Sequence, residues 1–314
     1  MNGMNGMNGM NGMTARRPEG GAAIHAVMPL CRYAVLALLA AGCGRSDAII
    51  VGSKNFTESV LLGEIVAQQL ARYDLPVKRK LFLGGTFVCH EAIKAGQIDV
   101  YVEYTGTAYS AILSLPATHD AVLVRQVVDS AYARRWQLVW TEPLGFNNTF
   151  AMLIRRRDAL RLGIRTLSQA VPHARSWRPA FGYEFVERDD GYPGLLRTYG
   201  LAFAGRPAVM DLGLTYRALA EGRVDIIAGN STDGQIAALD LFQLADDRGY
   251  FPPYEAAPVA RTDLFTRFPA ARAALAKLGG TITDQKMRQL NHQVDVLHRP
   301  AVEVAEEFLA AIPK

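Results

Sequence analysis

The chain has 314 residues, half of them hydrophobic and a fifth charged, which suits a soluble globular protein of two domains or one large one. Its net charge of +4 is spread over 34 basic and 30 acidic residues, with no basic stripe and no nucleic-acid-binding module, so nucleic acid is excluded as a partner. No segment after the N-terminal region reaches the ~20 apolar residues of a spanning helix, which excludes a permease in the same chain.

Residues 1–27 open with MNGMNGMNGMNGM, a repeat without apolar periodicity, and read as a disordered low-complexity extension or an upstream mis-start. Residues 28–42 read as a lipoprotein-type signal peptide. Arg32 supplies a positive charge ahead of the apolar run Tyr33 to Ala41, which is too short for a permanent span. The run ends in Ala40-Ala41-Gly42-Cys43, which resembles a bacterial lipobox, with Leu39 four residues before the cysteine instead of the usual three. Two readings stay open: lipidation at Cys43, or an ordinary signal peptide with an incidental cysteine. Cys89 is the one cysteine beyond Cys43; beside His90 but without metal-ligand spacing, it reads as a small buried residue.

From Ala48 the pattern alternates strand and helix. AIIVGS predicts a strand, and TESVLLGEIVAQQLARY a helix with Val60, Leu61, Ile65, Val66 and Leu70 on one broad face and Thr57 as its N-cap. VKRKLFL predicts a second strand, TFVCHEAIKAG a second helix and IDVYVEY a third strand. Further on, FAMLIRR and PAFGYEF read as strands, and GYPGLLRTYG as a helix closed by Gly200. The C-terminal stretches LFTRFPAARAALAKLGG, TDQKMRQLNHQVDVLH and PAVEVAEEFLAA read as amphipathic helices, started by residues such as Thr283 and Pro300, that pack back on the first lobe. Elements of these lengths in alternation predict an α/β fold around mainly parallel sheet.

Two stretches share one grammar: HEAIKAGQIDVYVEYTGT and TYRALAEGRVDIIAGNSTDG. Each runs helix, glycine, polar residue, Ile or Val, Asp, then an apolar strand. Gly96 and Gly222 suit the position just past a helix, where positive φ is needed. Asp99 and Asp225 occupy matching places. Each strand ends in a loop of small polar residues, Thr105-Gly106-Thr107 and Ser231-Thr232-Asp233-Gly234. Open α/β sheets bind ligands beyond the carboxyl ends of their strands, so two such loops face to face would form a cleft. They also suit simple helix-capping turns.

Several strings, in order, carry a further resemblance: GSKNFTES at 52–59, LGGTFVCHEAIKAGQIDVYVEYTGT at 83–107, GFNNTFAM at 145–152, FVERDDGYPGLLRTYG at 185–200, STDG at 231–234 and DDRGYFPPYEAAP at 246–258. Together they resemble the substrate-binding proteins of ABC-type osmoprotectant uptake systems, the glycine betaine/choline/proline betaine family, over nearly all of residues 48–312. The resemblance implies a two-lobed type II periplasmic-binding-protein fold with ligand in the interlobe cleft. Lobe 1 is then 48–147 plus 256–314, and lobe 2 is 148–255. It implies a cage of aromatic rings for a quaternary ammonium head and polar or basic groups for a carboxylate.

Carried over by motif, Tyr104, Phe150 and Tyr254 are the cage residues. Phe150 falls where the family often has Tyr, and Asn230 where relatives often place a ring, with Tyr101 as a substitute wall. Arg188 is the leading carboxylate ligand, because guanidinium binds carboxylate bidentately, and Lys54 is second. Asn148, Glu184, Thr107 and Thr232 are polar neighbours; Glu184 either opposes the cation or pairs with Arg188. The implied partners are a small quaternary ammonium ligand and an ABC permease with its ATPase subunits. The protein is expected to be a monomer in the periplasm or at the cell surface, held to the membrane through Cys43, with no cofactor and no metal. Alternatives are the same transport role for another polar solute, such as a heteroaromatic betaine or an amino acid, and a ligand sensor. No GxSxG, HExxH, phosphate loop or Ser/His/Asp set is present, so no enzymatic activity is expected.

Overall fold

The computed structural model describes residues 47–116 and 118–312. The N-terminal extension, the signal segment and Cys43 lie outside the described residues. No helix among the described residues is long and apolar enough to cross a membrane.

The first sheet begins with β1 (Ile49–Gly52), β2 (Val77–Lys80) and β3 (Val100–Tyr104), all parallel, with α1 (Thr57–Ala71) and α2 (Thr86–Lys94) as crossovers. After β3 come a π-helical turn at Thr107–Ile112 and α3 (Ala121–Trp136), then the edge strand β4 (Leu138–Trp140). The second sheet holds β5 (Phe150–Arg155), β6 (Pro179–Phe181), β7 (Ala208–Val209), β8 (Ile226–Asn230) and β9 (Leu241–Leu244). Its helices are α4 (Arg156–Leu162), α5 (Leu167–Ala174), α6 (Tyr183–Glu187), α7 (Tyr192–Tyr199), α8 (Leu212–Ala220) and α9 (Gln235–Ala238). The chain then returns to the first sheet as β10 (Ala256–Arg261), followed by α10 (Leu264–Arg267), α11 (Ala270–Ala276), α12 (Asp284–Asp295) and α13 (Ala301–Ala310).

The strand orders β2-β1-β3-β10-β4 and β7-β6-β8-β5-β9 have the same form. In each, the fourth strand runs antiparallel to its neighbours, and that strand comes from the far side of a crossover: β10 in the first sheet, β5 in the second. The two crossovers, between β4 and β5 and between β9 and β10, run side by side. Asn148 N–H donates to the Tyr254 carbonyl at 3.0 Å and Ala256 N–H to that of Phe146 at 3.2 Å. The repeated grammar of the sequence is thus a repeated topology. Asp99 accepts the Ile50 amide at 2.8 Å and Asp225 the Arg178 amide at 3.0 Å, each tying the start of its strand to the neighbouring one.

The first predicted C-terminal helix is split at Phe268-Pro269 into α10 and α11, and α11, α12 and α13 pack against α1 of the first lobe. Arg72 on the rim of α1 donates to the Leu309 carbonyl at 2.8 Å, and Gln68 to that of Val302 at 2.8 Å. Thr283 caps α12 by accepting the Lys286 amide at 3.2 Å. Thr57, expected as an N-cap, is instead the first residue of α1, and its hydroxyl donates to Asp295 at 2.6 Å. The predicted strand PAFGYEF ends at Phe181; Gly182 turns the chain and Tyr183–Glu187 form a helical turn. That shift carries Glu184 and Arg188 toward the cleft.

Candidate ligand cleft

Between the two sheets lies a cavity of about 530 Å³, walled by both lobes and the crossovers. Lys54 follows β1, Tyr104 ends β3, Thr107 opens the π-turn, Asn148 and Tyr254 belong to the crossovers, Phe150 begins β5, Glu184 lies in the first turn of α6 with Arg188 just past its end, and Asn230 ends β8. These residues stand at strand ends and helix starts for one reason. Strand ends open toward the cleft, and side chains there project past the edge of the packed layers.

The aromatic rings form two groups. The Phe150 ring meets those of Phe185, Phe251 and Tyr254 at centroid distances of 4.9, 5.7 and 5.8 Å, and Phe56 stacks beside Tyr104 at 6.4 Å. Two of these rings face cations of the protein itself. Lys54 Nζ stands 5.2 Å from the Tyr104 centroid, and the Arg188 guanidinium 5.1 Å from that of Phe150.

Both cations are buried and each holds a carboxylate. Lys54 Nζ donates to Glu103 at 2.6 Å and to the Thr86 hydroxyl at 2.9 Å. Arg188 forks onto Asp190 through Nε at 2.8 Å and Nη2 at 2.5 Å, and Asp190 also accepts the Tyr254 hydroxyl at 2.8 Å. The bidentate face of Arg188, expected to be open for a ligand carboxylate, is therefore taken by Asp190. Its remaining Nη1 lies 3.7 Å from Glu184, at ion-pair distance.

Glu184 reaches across the cleft and accepts the Thr86 amide at the start of α2. Burial raises its carboxyl, but Lys54, Arg188 and the Thr86 hydrogen bonds outweigh that and hold it below the usual range. Two other carboxyls run the opposite way. Burial raises Glu58 even though Thr232, Tyr104, Asn148 and Asn291 all donate to it, at 2.5, 2.7, 2.7 and 2.8 Å. Burial also pushes Asp233 up to about 7, against hydrogen bonds from the Tyr216 hydroxyl at 2.5 Å and the Asn230 amide at 2.8 Å.

Two expected wall residues are not walls. Tyr101 lies on the other face of β3, because side chains alternate along a strand and Tyr104 has the opposite parity. Its ring is in the core beneath α2 and α3, and its hydroxyl is 3.3 Å from Glu103. Thr232 is fully buried and spends its hydroxyl on Glu58. Conversely, Phe56, Tyr216 and Asp295 line the cavity without a role assigned from the sequence, and Asp233 lines it from the STDG loop. Phe56 sits inside the GSKNFTES string, so adjacency to Lys54 was its one available signal.

Cys89 is buried as expected, its thiol raised to about 12 chiefly by burial. His90 is lowered to about 4 by burial and Lys94, between the rings of Tyr132 and Trp136.

Two α/β lobes joined by a double crossover, with a polar and aromatic cleft between them, define a bilobal solute-binding protein of the type II periplasmic-binding class. More narrowly, the chain belongs to the family described as the substrate binding domain of ABC-type glycine betaine transport systems, whose model matches residues 47–311. It is 35% identical over 262 residues to the Helicobacter pylori ergothioneine transport permease/ergothioneine binding protein EgtU, a match covering 83% of this chain and 47%, about half, of that protein. It is 32% identical over 296 residues to the glycine-betaine-binding protein of Pseudomonas aeruginosa, covering 90% of this chain and 93% of that one. A crystal structure described as a glycine betaine/carnitine/choline ABC transporter superposes with a TM-score of 0.70 at 28% identity, covering 83% of this chain and 97% of its own. Apo YehZ of Escherichia coli gives 0.60 at 29% identity, with 84% and 98% covered. The chain is the extracytoplasmic solute-binding part of an ABC-type uptake system of this kind.

Proposed function

We propose that the cleft holds a quaternary ammonium solute with its methylated head against Tyr104, Phe150 and Tyr254, and delivers it unchanged to an ABC permease. The convergence of these rings supports the reading most: they come from β3, β5 and the second crossover, far apart in sequence, and line one cavity. A quaternary ammonium has no N–H to donate, so hydrogen bonds cannot hold it. Aromatic faces can, at ~0.5–2 kcal/mol per contact depending on desolvation. Calorimetric titration with glycine betaine, carnitine, choline and ergothioneine tests this. At least one should bind, be recovered intact by mass spectrometry, and bind roughly 2- to 30-fold more weakly to Phe150→Ala. No heat from any of the four up to millimolar concentration rejects the proposal.

A heteroaromatic betaine is the second reading. The cavity falls within the range of about 300–1,000 Å³ that suits drug-sized ligands. Beside Phe150 its wall carries Asn230, Asp233 and Tyr216, polar groups that a trimethylammonium head does not use. The Helicobacter relative is named for ergothioneine. Tighter binding of ergothioneine than of glycine betaine in the same titration selects this reading.

We also propose that Cys43 carries the lipid anchor, supported by its place at the end of the apolar run. Radiolabelled fatty acid should enter the wild-type protein and be lost in Cys43→Ala; retained label overturns the anchor.

A further inference from the structure

The two buried cations of the cleft are already neutralised, Lys54 by Glu103 and Arg188 by Asp190. A third carboxylate nevertheless sits between them. Glu184, from the second lobe, accepts the amide of Thr86 at the first residue of α2 in the first lobe, and its other oxygen is 3.2 Å from the Thr86 hydroxyl. That hydroxyl in turn accepts from Lys54 at 2.9 Å. The seat so formed has the character of an anion site: an amide at the positive end of a helix, outside that helix's own hydrogen-bond ladder, with two cations behind it. Gly85 leaves room for its occupant, since a Cβ there would clash with Glu184 Oε1.

We infer that Glu184 is a selectivity gate: with the lobes in contact its carboxylate fills the anion seat, so a ligand that brings its own carboxylate enters only by displacing it. A quaternary ammonium alcohol makes no such demand. The inference rests on the reading of the cleft as a quaternary ammonium site. Its physical core is charge. One carboxylate is stabilised by the seat, whereas a second at contact distance is repelled by the first.

Glu184→Gln separates this role from a merely structural one. The amide oxygen can still accept from Thr86 and the side-chain volume is kept, but the charge is gone. Dissociation constants for glycine betaine and for choline, measured by calorimetry on wild type and variant at one ionic strength, give the readout. The ratio should move toward glycine betaine by roughly tenfold or more in the variant. Glu184→Ala should move it the same way, with thermal unfolding confirming that both variants are folded. Loss of a contact between the lobes would weaken both ligands together and leave the ratio where it was. An unchanged ratio, or one that moves toward choline, overturns the gate while leaving the cleft reading intact. Wild-type protein that binds neither compound overturns the cleft reading, and the gate with it.

Discussion

Asp233 shows how burial sets chemistry at a single residue. Buried at the floor of the second lobe's loop, its carboxyl is pushed up to about 7 by desolvation, with the Tyr216 and Asn230 hydrogen bonds opposing and Glu58 and Asp295 adding to the rise. Its reference value is 3.8, so the folded protein holds a proton that the unfolded chain releases. That contribution to stability is full below the unfolded value and is lost as pH rises through about 7. Asp233→Asn keeps an acceptor for Tyr216 but cannot titrate. Its melting temperature, followed by calorimetry from pH 5 to pH 8, should therefore fall less steeply with rising pH than that of the wild type. Parallel profiles would mean that Asp233 does not carry the proton. No motif betrayed this residue beyond its place in STDG, because a raised carboxyl needs neighbours that only the fold supplies. Glu58 is the same case. In sequence it is an acidic first-turn residue of a helix, and in space it is a buried acceptor for four side chains.

At the scale of the element, periodicity was informative wherever local backbone geometry decides the outcome. Gly96 and Gly222 both adopt the positive φ expected past a helix end, +70° and +74°. Asp99 and Asp225, matched by position alone, perform the same tie between strands, and Arg178 with Arg155 lowers Asp225 to about 2 against the effect of burial. The errors arose where a local pattern had two solutions. Strand alternation separates Tyr101 from Tyr104, but sequence cannot say which parity faces the cleft, because β3 is buried on both faces. The run after Phe181 could continue as strand or turn into helix. Burial of Phe185 against Phe150 and Phe181 favours the helical turn, and it is this turn that aims Glu184 at α2.

For the whole molecule, the decisive contacts are those that join the lobes. Thr232 of the second lobe donates to Glu58 of the first at 2.5 Å, and Asn291 of α12 donates to the Thr232 carbonyl at 2.9 Å. Leaving a buried acceptor such as Glu58 without one of its donors costs about 1–3 kcal/mol. If the Thr232 hydrogen bond favours the arrangement in which the cleft is complete, its loss acts as a common penalty on every ligand. Thr232→Val should accordingly weaken glycine betaine and choline by one shared factor of roughly tenfold or more, measured by calorimetry. A change confined to one ligand would place Thr232 in the wall rather than in the latch. The contrast with Glu184→Gln, which should alter the ratio, distinguishes closure from selection.

The sequence by itself determined the α/β alternation, the repeated unit, the family and nine of the residues that line the cleft, from Lys54 and Tyr104 to Tyr254. Those features depend on spacing along the chain and on motifs that travel as short strings. Only the tertiary structure decided the state of the charges. Asp190 closes the fork of Arg188, Glu103 neutralises Lys54, and Glu184 crosses from one lobe to the other to take the anion seat. Each is an interaction between groups whose separation in sequence says little about their distance in space. Electrostatic energy depends on that distance and on the water excluded around it.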